Sequence, residues 1–137
     1  ARRWPRSPGT CTWPATAADV GNPHAVVEVA SAAELDGLDL SLAPTWSPAD
    51  AFPNGVNTEF VLREGPGRLR LRVFERGVGE TDSCGTGVVA SAAVVGGAQN
   101  CAVQVLGGRL EVRLGDPDAV LIGPAAVVAR GRIDLPS

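Results

Sequence analysis

The chain has 137 residues, of which 45% are hydrophobic and 20% charged, a balance that predicts one soluble globular domain with its own core. A net charge of −3, with no cluster of basic and aromatic residues, argues against a nucleic-acid partner, and no apolar run approaches the roughly 20 residues of a membrane span. The first nine residues lack the apolar segment of a signal peptide. We therefore expect a cytoplasmic protein with a small-molecule partner.

Counts of cysteine, histidine and lysine limit the possible cofactors. The three cysteines, Cys11, Cys84 and Cys101, form neither an even set nor a C-x-x-C pair, and a single histidine cannot supply most of the roughly three ligands of catalytic zinc. All 12 basic residues are arginine, so no lysine can form the Schiff base that anchors pyridoxal phosphate. We predict that the protein uses no metal and no lysine-bound pyridoxal phosphate.

The first half of the chain predicts strands separated by one short helix. Residues 1–15, rich in tryptophan and proline, predict an irregular lead-in, and residues 16–137 the domain. A β-branched run predicts a buried strand over 25–29; a short helix over 31–38 and a loop to about Gly55 follow. Segments 57–63 and 68–74 predict a hairpin. The second segment alternates between leucine or valine and arginine, which indicates that one face of the hairpin is exposed to solvent.

The second half centres on one apolar helix. Residues 85–98 leave no polar face, as in a buried helix, and end at Gly96-Gly97. A hairpin follows over 103–114, with Gly107-Gly108 as a type I′ turn, then a turn at 115–118 and two apolar strands around Gly123-Pro124. Strands on both sides of the helix predict an α+β fold in which a curved mixed or antiparallel sheet wraps a central buried helix.

A glycine-rich polar loop, residues 75–87, leads directly into this helix and places Cys84 at its N-terminus. Unpaired N–H groups and the helix dipole at that position favour a thiolate and can also hold a carboxylate. A lone cysteine is more often a small buried residue, but the polar, glycine-rich entry favours a functional thiol. Gly85-Thr86-Gly87 also fits part of a dinucleotide fingerprint, weakly, because no hydrophobic strand precedes it.

Two further polar clusters lie where strands begin: Gly21-Asn22-Pro23-His24 and Phe52-Pro53-Asn54-Gly55-Val56-Asn57. Taken singly, each is explained by turn chemistry, and a lone histidine is more often structural than catalytic. Together with the loop from Glu75 to Gly87, however, the clusters resemble, in the same order, three motifs of the C-terminal lobe of diaminopimelate epimerases. The resemblance extends from about residue 16 to the end.

The resemblance implies cofactor-independent epimerisation of LL-diaminopimelate to meso-diaminopimelate, a step towards lysine and peptidoglycan. Two thiols on opposite sides of the α-carbon exchange protons with it, and Cys84 matches one of them. By the same resemblance His24 and Glu75 support the acid and base thiols. The residues that match substrate-binding positions are Asn22, Asn57, Glu75, Arg76, Gly85 and Thr86. An ordinary solvated ion pair is the alternative for Glu75 and Arg76.

The family's N-terminal lobe, which carries the second thiol, has no counterpart in this sequence. Cys11 and Cys101 lack the glycine-rich loop of a catalytic thiol, so we predict that neither is catalytic. The chain should be nearly inactive without the missing N-terminal lobe or a second chain, and we expect a homo-oligomer. A non-catalytic amino-acid-binding or regulatory remnant is the alternative. A proline racemase-like isomerase fits less well, because by the resemblance Asn22, Asn57 and Arg76 match residues that hold the second amino-acid end of the substrate.

Overall fold

The computed structural model describes residues 12–134, which form one mixed sheet and two helices. In chain order the elements are β1 Thr16–Asp19, β2 Pro23–Val29, α1 Ala32–Asp36, β3 Asn57–Gly65, β4 Arg68–Glu75, β5 Gly79–Thr81, α2 Gly85–Val95, β6 Asn100–Val105, β7 Gly108–Leu114 and β8 Ala119–Ile122. The sheet order is β1-β2-β3-β4-β6-β7-β8, with β5 paired to β4. Strand pairs β2–β3 and β4–β6 are parallel and the others antiparallel.

The sheet curls around α2, which contacts β1 to β4 and β6 to β8. The helix buries Val88, Ala90, Ala92 and Val95 in the larger core cluster, and even Ser91 is fully buried. A helix that is apolar on nearly every side is stable only when other elements cover it, and the curled sheet does so. The predicted α+β class, with a curved mixed sheet, is confirmed.

A second apolar cluster covers the opposite face of β2 and β3, where α1 packs, and includes Val27, Leu35 and Phe60. Trp13 joins it, with its ring edge-on to Phe60 at 5.6 Å and its indole N–H donating to Glu34 at 2.5 Å. The last residues of the predicted lead-in therefore pack on the domain. The boundary at residue 16 stays a prediction, and Cys11 lies outside the described residues.

Several local predictions are confirmed. Helix α1 begins after Ser31, whose hydroxyl accepts from the Glu34 N–H at 3.1 Å. Strands β3 and β4 form the expected hairpin, with buried Leu69, Leu71 and Val73 alternating with arginines. Helix α2 ends at Val95, where Gly96-Gly97 was expected to stop it. No helix among the described residues is long and apolar enough to cross a membrane.

Other local predictions are wrong or incomplete. The hairpin of β6 and β7 turns through Leu106-Gly107, not Gly107-Gly108, because Val105 pairs with Gly108. Strands β1 and β5 were not predicted, since they have only four and three residues. Only one of the two strands expected around Gly123 exists, β8; residues 123–134 pair with no described strand, and Val127 and Val128 are exposed.

Candidate active site

Cys84 is the residue that precedes the first turn of α2. Its backbone is extended (φ −127°, ψ 108°), and its carbonyl accepts the Val88 N–H at 2.9 Å, so the helix begins directly after it. The side chain is only 7% exposed. Its Sγ lies 3.5 Å from the Thr86 hydroxyl and 4.0 Å from Nδ2 of Asn57. Two polar side chains thus flank the sulfur.

The charge state of Cys84 differs from the sequence-based expectation. Burial raises the pKa of the Cys84 thiol, and this outweighs the lowering by the Thr86 hydroxyl and the Gly87 N–H. Nearby Glu75 and Glu59 raise it further. The helix N-terminus alone would favour a thiolate, but removing the sulfur from water disfavours the charged form more. In this chain by itself Cys84 is held mainly as a thiol.

Asn22 and His24 reach Cys84 indirectly, through Thr86. His24 is fully buried, and its Nε2 lies 3.1 Å from Oδ1 of Asn22. The Asn22 amide in turn donates to the Thr86 hydroxyl at 3.4 Å. These contacts arise because β2 and β3 run parallel with His24 beside Asn57, which brings both strand starts to the N-terminus of α2.

Asn57 and Arg76 are linked on the other side of the site. Asn57 Oδ1 accepts the Arg76 backbone N–H at 2.9 Å, while Nη1 of Arg76 donates to the Asn54 carbonyl, also at 2.9 Å. Gly55, with φ +75°, leaves room for the Arg76 side chain, because a Cβ there would lie 2.6 Å from Arg76 Cδ. The guanidinium forms no ion pair with the carboxylates of residues 12–134.

Glu75 lies at the end of β4 and accepts the Thr81 hydroxyl at 2.5 Å. It does not pair with Arg76, so the ordinary ion pair considered above does not form. Gly85 and Thr86 complete the predicted set: Gly85 lies against the Leu121 side chain, and Thr86 is exposed at the start of α2. The predicted residues therefore surround one helix N-terminus, with Glu75 at the periphery.

The sequence patterns did not predict a role for Glu59, which is fully buried beneath this site. Its Oε1 lies 2.7 Å from Nδ1 of His24, and its Oε2 has no hydrogen-bond partner. Burial raises the pKa of the Glu59 carboxyl, although the contact with His24 opposes this. A usable signal existed: Glu59 is two residues after Asn57 in the same strand, hence on the same face of the sheet.

Other polar features lie apart from this cluster. Cys101 is buried, its Sγ donates to the Ala98 carbonyl at 3.4 Å, and burial raises the pKa of its thiol. A shallow groove of about 520 Å³ runs along β6 and β7 and includes none of the predicted site residues. Within residues 12–134 no group of three or more histidine, cysteine or acidic side chains could hold a metal ion.

Comparison with known proteins identifies the family. The family model described as diaminopimelate epimerase matches residues 16–128. This chain belongs to the diaminopimelate epimerase family. It is 43% identical to the diaminopimelate epimerase of Streptomyces coelicolor, over 93% of this chain and 48% of that protein. The diaminopimelate epimerase of Acidothermus cellulolyticus is 46% identical, over 85% of this chain and 40% of its own length.

This member of the diaminopimelate epimerase family spans about half the length of the curated relatives it matches. Among solved structures, a phenazine biosynthesis protein of the PhzF family from Enterococcus faecalis superimposes with a TM-score of 0.49 and 25% identity. That superposition covers 74% of this chain and 38% of the other. The site described above lies in a segment that matches less than half of the length of each of these diaminopimelate epimerases.

Proposed function

We propose that this chain supplies one half of a diaminopimelate epimerase active site, with Cys84 as one of two catalytic thiols. The observation that carries the proposal is the position of Cys84 at the N-terminus of α2, flanked by Thr86 and Asn57. A purely structural cysteine needs no such polar surroundings. Membership of the family supports the reaction class, interconversion of LL- and meso-diaminopimelate.

In the proposed reaction a thiolate on one side of the substrate removes the proton from the α-carbon, and a thiol on the other side delivers one. The C–H bond that breaks and the one that forms are on opposite faces, so the configuration inverts. One thiolate and one thiol are consumed and one of each is formed, with no change of oxidation state. The raised pKa of Cys84 supports a first role as the proton donor, with the partner thiol as base.

The substrate carboxylate would bind at the N-terminus of α2. The first backbone N–H groups of a helix have no partner within the helix, and those near Gly85 and Thr86 can donate to the α-carboxylate. That contact would stabilise the negative charge that develops as the α-proton leaves. Neither a metal nor pyridoxal phosphate is needed for this step in the proposed mechanism.

The second amino-acid end of diaminopimelate would meet Arg76, Glu75, Asn22 and Asn57. Within the described residues, the hydrogen bonds of the Arg76 guanidinium go to the backbone carbonyls of residues 54–55, so it has unused donors. These donors can hold a carboxylate in a bidentate manner. Glu75 can accept from the ammonium group. A substrate with one amino-acid end would lose these contacts, which favours diaminopimelate over a single-headed amino acid.

A second lobe must cover the substrate from the other side. Cys84 is the one buried thiol near the site among residues 12–134, since Cys101 lies in the core beyond the far end of α2. We propose that the missing N-terminal lobe, on the same polypeptide or on another chain, brings the second thiol, and that the assembled protein is a homo-oligomer. Alone, this chain should bind substrate weakly and turn over almost none.

The test is incorporation of solvent deuterium at the α-carbon of LL-diaminopimelate, followed by mass spectrometry. The chain and its Cys84→Ser variant are each measured alone and mixed with a separately expressed N-terminal lobe. We expect exchange only in the complemented wild-type mixture, with Cys101→Ser as the matched control that keeps activity. No exchange in any mixture, with substrate binding retained, would contradict catalysis and favour the amino-acid-binding remnant.

A further inference from the structure

A continuous series of polar contacts connects the buried Glu59 to the sulfur of Cys84. Glu59 Oε1 lies 2.7 Å from His24 Nδ1, and His24 Nε2 lies 3.1 Å from Asn22 Oδ1. Asn22 Nδ2 lies 3.4 Å from Thr86 Oγ1, which lies 3.5 Å from Cys84 Sγ. Glu59 and Cys84 are therefore connected through three intervening side chains.

The direction of hydrogen bonding along this series depends on where His24 carries its protons. Each ring nitrogen faces an oxygen, one from Glu59 and one from Asn22. A neutral imidazole donates from only one nitrogen and accepts at the other. With Oδ1 of Asn22 facing Nε2, the ring can therefore satisfy both contacts only if it is an imidazolium, or if Glu59 is protonated and donates to Nδ1.

Burial decides among the possible proton arrangements. Both His24 and Glu59 are fully buried, and Oε2 of Glu59 has no partner. A charged Glu59 beside a neutral His24 would leave an uncompensated buried charge, which is the costliest arrangement. The two remaining arrangements, carboxylate with imidazolium and carboxylic acid with neutral imidazole, both have a proton on Nε2.

A proton on Nε2 orients the rest of the series. The Nε2–H group donates to Asn22 Oδ1, so the Asn22 amide N–H donates to Thr86 Oγ1. The Thr86 hydroxyl hydrogen is then free to donate to Cys84 Sγ. If Nε2 carried a lone pair instead, the amide would reverse, the Thr86 hydroxyl would donate to Asn22, and the sulfur would lose this donor.

We propose that Glu59 is a positioning residue for Cys84: by keeping a proton on Nε2 of His24, it directs the hydrogen-bond series so that Thr86 donates to the sulfur. The catalytic importance of this arrangement rests on the proposed function, but the arrangement itself is measurable on this chain alone. Among the described residues, Glu75 and Glu59 are the charged side chains that act on the pKa of the Cys84 thiol, and His24 contacts Glu59.

The first measurement uses the fact that the chain has one histidine. Two-bond ¹H–¹⁵N NMR correlations of an imidazole distinguish the imidazolium and both neutral tautomers, and a single histidine makes the assignment unambiguous. We expect the spectrum to show a proton on Nε2. A neutral ring with the proton on Nδ1 and a bare Nε2 would overturn the proposal without the need for any variant.

The second measurement is the pKa of the Cys84 thiol, from the pH dependence of its alkylation resolved by mass spectrometry. Thr86→Val should raise this pKa by about one unit, a tenfold loss of thiolate at fixed pH. Glu59→Leu should raise it by about half a unit or more, and Thr86→Val should have a smaller effect in that background. Glu59→Gln, whose amide can still donate to Nδ1, should restore a value near wild type.

The sign of the change separates this role from simple charge. A negative Glu59 disfavours a thiolate nearby, so if it acted only through its charge, Glu59→Leu would lower the pKa of Cys84. A lowered or unchanged pKa in a folded Glu59→Leu variant would therefore contradict the proposal. Should Glu59→Leu not fold, the NMR result on the wild-type chain decides alone. Neither measurement depends on deuterium exchange. The proposed function can therefore fail while this inference stands, and this inference can fail while the proposed function stands.

Discussion

At the scale of single residues, Gly87 and Glu59 occupy adjoining space that leaves no room for another side chain. A Cβ on Gly87 would lie 2.5 Å from Glu59 Oε1 and 3.1 Å from its Cδ. Glycine at this helical position therefore has a packing cause, since its φ is not in the left-handed region. The buried carboxyl can lie against His24 only because position 87 has no side chain.

Gly87→Ala should lower the free energy of unfolding by about 1 to 2 kcal/mol, because overpacking costs about 1–3 kcal/mol and better helix propensity offsets up to about 1. Chemical denaturation measures this. Gly85→Ala is the matched control: its Cβ would meet only the end of the flexible Leu121 side chain, at 3.0 Å, so we expect a change within about 0.5 kcal/mol. Equal changes in the free energy of unfolding for the two variants would show that the Glu59 side chain moves aside at little cost.

The resemblance to the family predicted most of the clustered residues, but not their buried partner. Asn22, Asn57 and Cys84 stood out because their three segments together resemble the family's motifs, although turn chemistry explains each asparagine cluster singly. Glu59 did not, because a single acidic residue in a strand is normally exposed. Its burial is explained by one contact, with His24, which lies 35 positions earlier in the chain. The pairing of β2 with β3 produces that contact, and local sequence does not reveal it.

At the scale of elements, Arg72 on β4 joins α1 to β5. Its Nη1 donates to the carbonyls of Leu35 and Leu38 at 2.9 and 3.0 Å, at the end of α1. Its Nε and Nη2 form a bidentate pair with Glu80 on β5, at 2.6 and 3.0 Å. The Glu80 contact helps to hold β5, and with it the loop to Cys84, against β4.

Arg72→Leu should lower the free energy of unfolding by about 2 kcal/mol, because carbonyls at the end of α1 and the Glu80 carboxylate both lose a charged donor. Arg70→Leu makes the same change on the same face of β4 but breaks only exposed contacts with Asp36 and Glu64, at 3.4 and 3.8 Å. We expect it to cost less than about 1 kcal/mol. Urea denaturation of both variants measures this difference. Similar losses of unfolding free energy would mean that the contacts of Arg72 with α1 and β5 add little to stability.

Periodicity predicted the long elements well and the short ones poorly. Strand β4 alternates over eight residues and helix α2 is apolar over eleven, so both patterns exceed what chance produces. Strands β1 and β5 have four and three residues, too few for a period. They exist because β2 and β4 offer unpaired edges. The second strand expected near the C-terminus is not formed, since residues 123–134 pair with no described strand.

At the scale of the whole molecule, several large apolar side chains are exposed. Val120 and Leu121 lie on β8, where Leu121 is close to Gly85, and Val127, Val128 and Ile133 lie in the segment that follows. Val128 is 95% exposed. Apolar surface of this kind is typical of an interface with another protein surface. It agrees with the proposal that a second lobe completes the site.

We therefore predict that the chain alone self-associates, and that its sedimentation coefficient rises with concentration. Val120→Asp and Val128→Asp should weaken the association, because a charge on an apolar interface must lose its water. Leu42→Asp is the control: Leu42 is 70% exposed but lies in the loop between α1 and β3. A monomer at every concentration would contradict the prediction, as would equal effects of all three variants.

The resemblance to the family implied that the polar clusters belong to one site, and the sequence by itself determined the buried helix and the two long hairpins. Each of these depends on local propensity or on a pattern within one segment, which a linear chain displays directly. The tertiary structure alone decided that Glu59 supports His24, that Arg76 does not pair with Glu75, and that burial raises the pKa of Cys84. The reason is that burial and long-range contacts depend on which segments become neighbours, and strand pairing decides this only when the whole sheet has formed.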